Sequence, residues 1–156
     1  LVGSEMCIRD RSQVAGQLVG ARGRVIASDI LLMDQLADVT FIQGDFTEEE
    51  TYEQIVTALA GNRLDVVLSD LAPNMSGLPE VDQPRAMYLV ELATELAVGA
   101  LASGGSFVTK VFQGEGFESW HREIRSHFKR VVTRKPNASR PRSREVYIVA
   151  TGFKAP

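Results

Sequence analysis

Three residues that can carry out acid–base chemistry lie at the ends of short apolar segments. Asp70 follows the segment VVLS, Lys110 follows SFVT, and Glu145 precedes VYIV. If these segments are neighbouring strands of one open sheet, the lysine and the two carboxylates converge in a single crevice. Such a set can neutralise, orient and deprotonate a substrate, so these residues are the first candidates for a catalytic site.

The elements that position them are predicted by the alternation of strand-like and helical segments. Strands are predicted at residues 24–28, 39–43, 65–68, 107–111, 131–133 and 146–150, and helices within 12–19, 47–59, 84–101 and 117–128. A capping box of Thr47 and Glu50 is expected at the start of the second helix. This order predicts an α/β fold with a mostly parallel sheet.

Aspartates recur where the predicted strands end. Asp29, Asp45 and Asp70 each follow an apolar segment, at the sheet edge where ligands of open α/β sheets bind. A carboxylate can accept hydrogen bonds from both hydroxyls of a ribose. An aspartate after a strand can equally be a turn or helix-cap residue. The three together favour a nucleoside site.

The composition limits the class of protein. The chain has 156 residues, 44% of them hydrophobic and 24% charged, which is ordinary for a single globular domain. No apolar segment approaches the roughly 20 residues of a membrane span. A single cysteine, Cys7, excludes an internal disulfide framework. The chain has only two histidines, His121 and His127, in addition to this cysteine. We therefore expect no structural zinc site and predict no metal.

Basic residues are concentrated near the C-terminus, although the net charge is only −3. No acidic residue lies between Glu123 and Glu145. That interval contains Arg125, Lys129, Arg130, Arg134, Lys135, Arg140, Arg142 and Arg144. A basic patch on a mildly acidic protein suits a polyanion docking on one face, and the alternative is a solvated surface segment.

Four longer motifs resemble those of the FtsJ-type ribosomal RNA methyltransferases, most closely the bacterial members. They are SDLAPNMSG at 69–77, DQPRAMYLVELA at 82–93, GGSFVTKVFQGEG at 104–116 and SRPRSREVY at 139–147. The similarity extends from about Ser12 to the C-terminus. It implies a Rossmann-like fold and transfer of a methyl group from S-adenosylmethionine to a ribose 2′-hydroxyl.

The resemblance implies a role for each candidate residue. Asp29 matches the contact to the cofactor ribose and Asp45 the contact to its adenine. Asp70 matches a residue near the methionine moiety and the reacting centre. Lys110 matches the catalytic lysine, and Glu145 the last acidic member of a Lys–Asp–Lys–Glu tetrad. A lysine can act as a base if burial or a neighbouring charge lowers its pKa, and no metal is needed because the sulfonium donor is already activated.

The resemblance also implies a substrate and a setting. We expect a monomeric cytoplasmic enzyme, not associated with a membrane, that methylates a uridine ribose in 23S ribosomal RNA or the large ribosomal subunit. The RNA would lie across the basic patch and contact Lys135, Arg140, Arg142 and Arg144. Two alternatives remain open, namely a transfer RNA or mRNA-cap ribose as substrate and a non-catalytic RNA-binding fragment.

The beginning of the chain departs from the family pattern. Residues 1–11 do not match the family's first strand and Gly-rich cofactor turn, they show no sustained periodicity, and a further tetrad lysine is missing. We therefore expect residues 1–11 to be non-native and without regular structure, and 12–156 to be a truncated methyltransferase domain. Without the first, central strand, we expect this polypeptide to be unstable and inactive.

Overall fold

The computed structural model describes residues 4–137 and 141–156 of the chain. The described helices are α1 (Ser4–Val19), α2 (Glu49–Leu59), α3 (Pro79–Ala100) and α4 (Phe117–His127), and the strands are β1 (Val25–Asp29), β2 (Val39–Gln43), β3 (Leu64–Ser69), β4 (Leu101–Phe112), β5 (Phe128–Arg134) and β6 (Glu145–Phe153). The chain divides into two compact units, residues 1–62 and 63–156.

The first unit contains a two-stranded parallel sheet with helices α1 and α2. Strands β1 and β2 pair in register from Val25 opposite Val39 to Asp29 opposite Gln43. Helix α1 begins at Ser4, so the expectation that residues 1–11 lack regular structure is wrong for residues 4–11. The predicted capping box is also wrong. Helix α2 begins after Glu48, and the hydroxyl of Thr47 donates to Asp45 instead of capping the helix.

The second unit contains a four-stranded sheet in the order β3-β4-β6-β5. Strands β3 and β4 are parallel, whereas β6 is antiparallel to both β4 and β5. The α/β fold class is confirmed, and the pairing is mixed, since two of the four described strand pairs are parallel and two antiparallel. The antiparallel part agrees with the connection between β5 and β6, whose described residues, 135–137 and 141–144, form no helix that would carry the chain back to the other end of the sheet.

The core of the second unit lies against alternate residues of the two central strands. Phe107 and Val111 of β4, and Ile148 and Ala150 of β6, are fully buried. They pack with Ile124 and other apolar residues of α3 and α4. Because successive strand residues point to opposite faces, Lys110, which precedes Val111, and Tyr147, which precedes Ile148, point to the other face.

Helix α3 begins five residues earlier than the sequence predicts. Pro79 occupies its first turn, where a missing N–H costs nothing, and Pro84 lies inside the helix. The early start places Asp82 and Gln83 on the helix rather than in the preceding loop. No helix in the described part of the chain is long and apolar enough to cross a membrane.

Candidate active site

Asp70 and Lys110 form an ion pair in the second unit. Ser69 and Thr109 are partners in the parallel pairing of β3 and β4, so the residues that follow them, Asp70 and Lys110, emerge side by side. The Lys110 Nζ atom lies 3.2 Å from Asp70 Oδ1, and the two side chains are 13% and 23% exposed. The pair is therefore open enough to be reached by a substrate while being largely enclosed by protein.

Tyr147 completes a three-residue cluster. It lies directly opposite Lys110 in the antiparallel pairing of β4 and β6. Its phenol donates a 2.8 Å hydrogen bond to Asp70 Oδ1, the same oxygen that the lysine contacts. Tyr147 is not among the site residues that the sequence predicts. The signal that could have identified it is its position two residues after Glu145, on the same face of the same strand.

Glu145 is the first residue of β6 and lies opposite Phe112. Because β6 residues two apart share a face, the Glu145 carboxylate is on the face that carries Tyr147 and Lys110. Its backbone N–H donates to the hydroxyl of Ser143, which fixes the start of the strand. The structure thus brings Asp70, Lys110 and Tyr147 into contact and places Glu145 beside them along the strand.

Asp29 and Asp45 lie in the first unit, where each ends or follows a strand. Asp29 Oδ1 accepts the backbone N–H of Leu31 at 2.9 Å. Asp45 Oδ1 accepts the hydroxyl of Thr47 at 2.7 Å and its N–H at 2.9 Å. These two hydrogen bonds hold the pKa of Asp45 below its ordinary value, and the hydroxyl of Thr47 contributes more than its N–H. Both carboxylates are therefore turn residues, and each turn uses only Oδ1.

The C-terminal half of the basic patch, from Lys135 to Arg144, lies in the connection between β5 and β6, whereas the other half lies on α4 and β5. The Lys135 ammonium donates to the carbonyls of Pro141 at 3.2 Å and Ser143 at 2.7 Å, which ties the two ends of this connection together. Arg142 and Arg144 are exposed. Arg140 lies outside the described residues, so the prediction for its side chain is not tested. In the described part of the chain, no group of three His, Cys, Asp or Glu residues could hold a metal ion.

Comparison with known proteins identifies the family. The profile of the family described as FtsJ-like methyltransferase matches residues 11–153. The chain belongs to this family. The match extends over both units and over every candidate residue named above, so the resemblance of the four motifs is confirmed.

Two curated relatives share most of the sequence. Ribosomal RNA large subunit methyltransferase E of Chromohalobacter salexigens is 63% identical over 142 residues, which are 91% of this chain and 68% of that protein. The protein of the same name from Alcanivorax borkumensis is 64% identical over 143 residues, or 92% of this chain and 69% of that protein.

A solved structure agrees in fold. The crystal structure of a ribosomal RNA methyltransferase from Plasmodium falciparum superimposes with a TM-score of 0.75 at 22% identity, covering 94% of this chain and 78% of that one. At this identity, the similarity supports the fold alone, and it agrees with the Rossmann-like methyltransferase architecture expected for the family.

Proposed function

We propose that the protein methylates the 2′-hydroxyl of a ribose, a uridine, in 23S ribosomal RNA of the large subunit, using S-adenosylmethionine as donor and Lys110 as general base. The observation that supports this proposal is the contact of Lys110 with Asp70 at 3.2 Å and of Asp70 with Tyr147 at 2.8 Å, with Glu145 on the same face. The names of the two relatives support ribosomal RNA as the substrate.

The chemical problem is the weak nucleophilicity of a ribose hydroxyl. The amine of Lys110, in its neutral form, would accept the hydroxyl proton as the oxygen bonds to the methyl carbon and the bond from that carbon to sulfur breaks. Asp70 would then hold the ammonium that results. General-base assistance of this kind is typically worth about 10² to 10⁴ in rate. The four-carbon stem of the lysine lets the amine reach the hydroxyl, while β4 fixes its Cα.

Asp70 would hold the lysine in place rather than take the proton. Its Oδ1 receives both the Lys110 ammonium and the Tyr147 hydroxyl, so the oxygen is fixed between two donors on neighbouring strands. Glu145 would act from the same face, as a second carboxylate that orients the lysine or the ribose. Much of the remaining acceleration would come from holding the oxygen, methyl carbon and sulfur in line.

The carboxylates of the first unit fit the donor. Ribose hydroxyls and the adenine amino group both donate hydrogen bonds, and Asp29 and Asp45 each keep a second carboxylate oxygen beyond the one used in its turn. We propose that Asp29 binds the ribose of the cofactor and that Asp45 binds its adenine. Asp70 would contribute near the methionine moiety. When bound, S-adenosylmethionine supplies a methyl group on a sulfonium, an already activated leaving group.

The exposed side chains of the basic patch would contact RNA phosphates. Arg142 and Arg144 are exposed to solvent. We propose Arg140 as a third contact to the RNA phosphates. Lys135 would contribute mainly by holding the connection closed, because its ammonium already donates to two carbonyls. Contacts to phosphate give affinity that falls with salt and carry little sequence information.

The test uses a chimera, called the completed enzyme below, in which residues 12–156 replace the matching part of the Alcanivorax borkumensis relative. Lys110→Ala should abolish transfer of a radioactive methyl group to ribosomal RNA, because the base is lost. Cofactor affinity, measured by calorimetry, should stay nearly unchanged. Lys154→Ala is the matched control, since this lysine is exposed and its ammonium donates to the carbonyl of Ser126, and this change should leave the rate unchanged.

The outcomes separate the parts of the proposal. Methylation that survives Lys110→Ala would exclude this lysine as the base. Methyl transfer to transfer RNA or capped mRNA, in place of ribosomal RNA, would keep the reaction but refute the substrate. RNA binding without any turnover in the completed enzyme would refute the catalytic function.

A further inference from the structure

Two adjacent polar residues near the start of α3, Asp82 and Gln83, are buried. They are 4% and 7% exposed, although aspartate and glutamine are rarely buried without partners. Their hydrogen bonds go to two different segments of the second unit, and neither residue belongs to the reacting cluster.

Asp82 holds the loop that follows β3. Its Oδ1 accepts the N–H and the hydroxyl of Ser76, both at 2.8 Å, and its Oδ2 accepts the N–H of Gly77 at 3.0 Å. The Ser76 hydroxyl in turn accepts the N–H of Leu78 at 3.2 Å. This loop begins at Asp70, so Asp82 restrains the segment that leaves the aspartate of the ion pair.

Gln83 holds the segment at the end of β4. Its Nε2 donates to the carbonyl of Phe112 at 3.1 Å and to that of Glu115 at 3.0 Å. The backbone between them comes so close that a Cβ added at Gly114 would lie 2.8 Å from the Gln83 carboxamide carbon. Lys110 lies two residues before Phe112, so Gln83 restrains the strand end that carries the lysine.

We propose that Asp82 and Gln83 are positioning residues for methyl transfer, which together fix the Asp70 loop and the Lys110 strand end against one rigid helix. The inference rests on the proposed function. Its physical basis is that helix α3 is a common support for the two segments, so the 3.2 Å contact between Lys110 and Asp70 depends on both. Neither residue touches the reacting atoms.

Two nearly isosteric variants of the completed enzyme test this. Asp82→Asn turns one acceptor into a donor that faces a backbone N–H or hydroxyl. Gln83→Glu turns a donor into an acceptor that faces two carbonyls. We expect kcat to fall up to about 100-fold, the loss associated with misplacement of about 1 Å, while KM for RNA changes far less. The rate is expressed per folded molecule, from unfolding curves of the same samples.

Two controls carry the same charge changes at exposed positions. Glu80→Gln removes a carboxylate from the first turn of α3, and Gln113→Glu adds one directly after β4. Both should leave kcat unchanged. Amide hydrogen exchange supplies a readout that does not need activity. It should become faster at Ser76 and Gly77 in Asp82→Asn, and at Gln113 and Phe117 in Gln83→Glu.

Unchanged kcat per folded molecule in an active enzyme would overturn the proposal, because the residues would then serve stability alone. A rise in KM with kcat unchanged would overturn it as well. If the completed enzyme methylates no RNA, the proposed function fails, and amide exchange still decides whether these residues hold the two segments. Unaltered exchange would then refute the positioning role.

Discussion

Removing a single oxygen atom from Tyr147 tests the geometry of the reacting cluster. Tyr147→Phe keeps the ring on β6 and its place opposite Lys110, but it deletes the donor of the 2.8 Å hydrogen bond to Asp70 Oδ1. The aspartate then keeps the lysine contact at 3.2 Å and loses the phenol contact, so its carboxylate can turn more freely. We expect the Lys110 side chain to become less well positioned too, because its ammonium contacts the same Asp70 oxygen that the phenol contacts.

The magnitude follows from the charge and exposure of the acceptor. A hydrogen bond to a charged group contributes about 1.5–3 kcal/mol when both partners are buried. Asp70 is 23% exposed, so a water molecule can replace the phenol in part, and the lower end applies. A loss of about 1.4 kcal/mol in the transition state lowers the rate about tenfold.

The assay is single-turnover methylation of ribosomal RNA by the completed enzyme, with the cofactor saturating, so that product release does not hide the chemical step. The two other tyrosines provide controls. Tyr52 and Tyr88 are 39% and 50% exposed, and Tyr52→Phe and Tyr88→Phe should leave the single-turnover rate unchanged. An unchanged rate in Tyr147→Phe would refute the argument that the shared oxygen orients the lysine.

Two further predictions concern stability. Thr94→Val should lower Tm by several degrees, because the Trp120 indole N–H, which donates to the Thr94 hydroxyl at 2.9 Å, would be buried without an acceptor at a cost of about 1–3 kcal/mol. The double variant with Trp120→Phe should cost less than the sum of the single ones, and additive losses in calorimetry would contradict the coupling. The second prediction concerns acid: the N–H and hydroxyl of Ser76, followed by the N–H of Gly77, hold the pKa of Asp82 below its ordinary value of 3.8. The ionised carboxylate stabilises the fold fully at pH values above the ordinary pKa, and this stabilisation is lost as the pH falls through the lowered pKa. The Tm difference between the wild type and Asp82→Asn should therefore shrink only below about pH 4. A Tm difference that is independent of pH would be inconsistent with a charged Asp82.

The strand-end positions of Asp70, Lys110 and Glu145 could be predicted because apolar segments and their ends are visible in sequence. The contact between Asp70 and Tyr147 could not be predicted in this way. Tyr147 lies 77 residues from Asp70 and reaches it only through the register of β4 against β6, which no periodicity encodes. Local competition explains the failed capping box, since the carboxylate of Asp45 lies two residues before Thr47 and takes its hydroxyl.

Lys110 owes its environment to its strand having a partner on each side. Strand β3 brings Asp70 to the lysine by parallel pairing, and β6 brings Tyr147 and Glu145 by antiparallel pairing. Backbone hydrogen bonds therefore set the spacing of the cluster, and a shift of one residue in either pairing would turn a partner to the opposite face. Restraints on the ends of these elements matter for the same reason. Asp82 and Gln83 form their hydrogen bonds with the loop that follows β3 and with the end of β4, which are the segments that the proposed positioning role concerns.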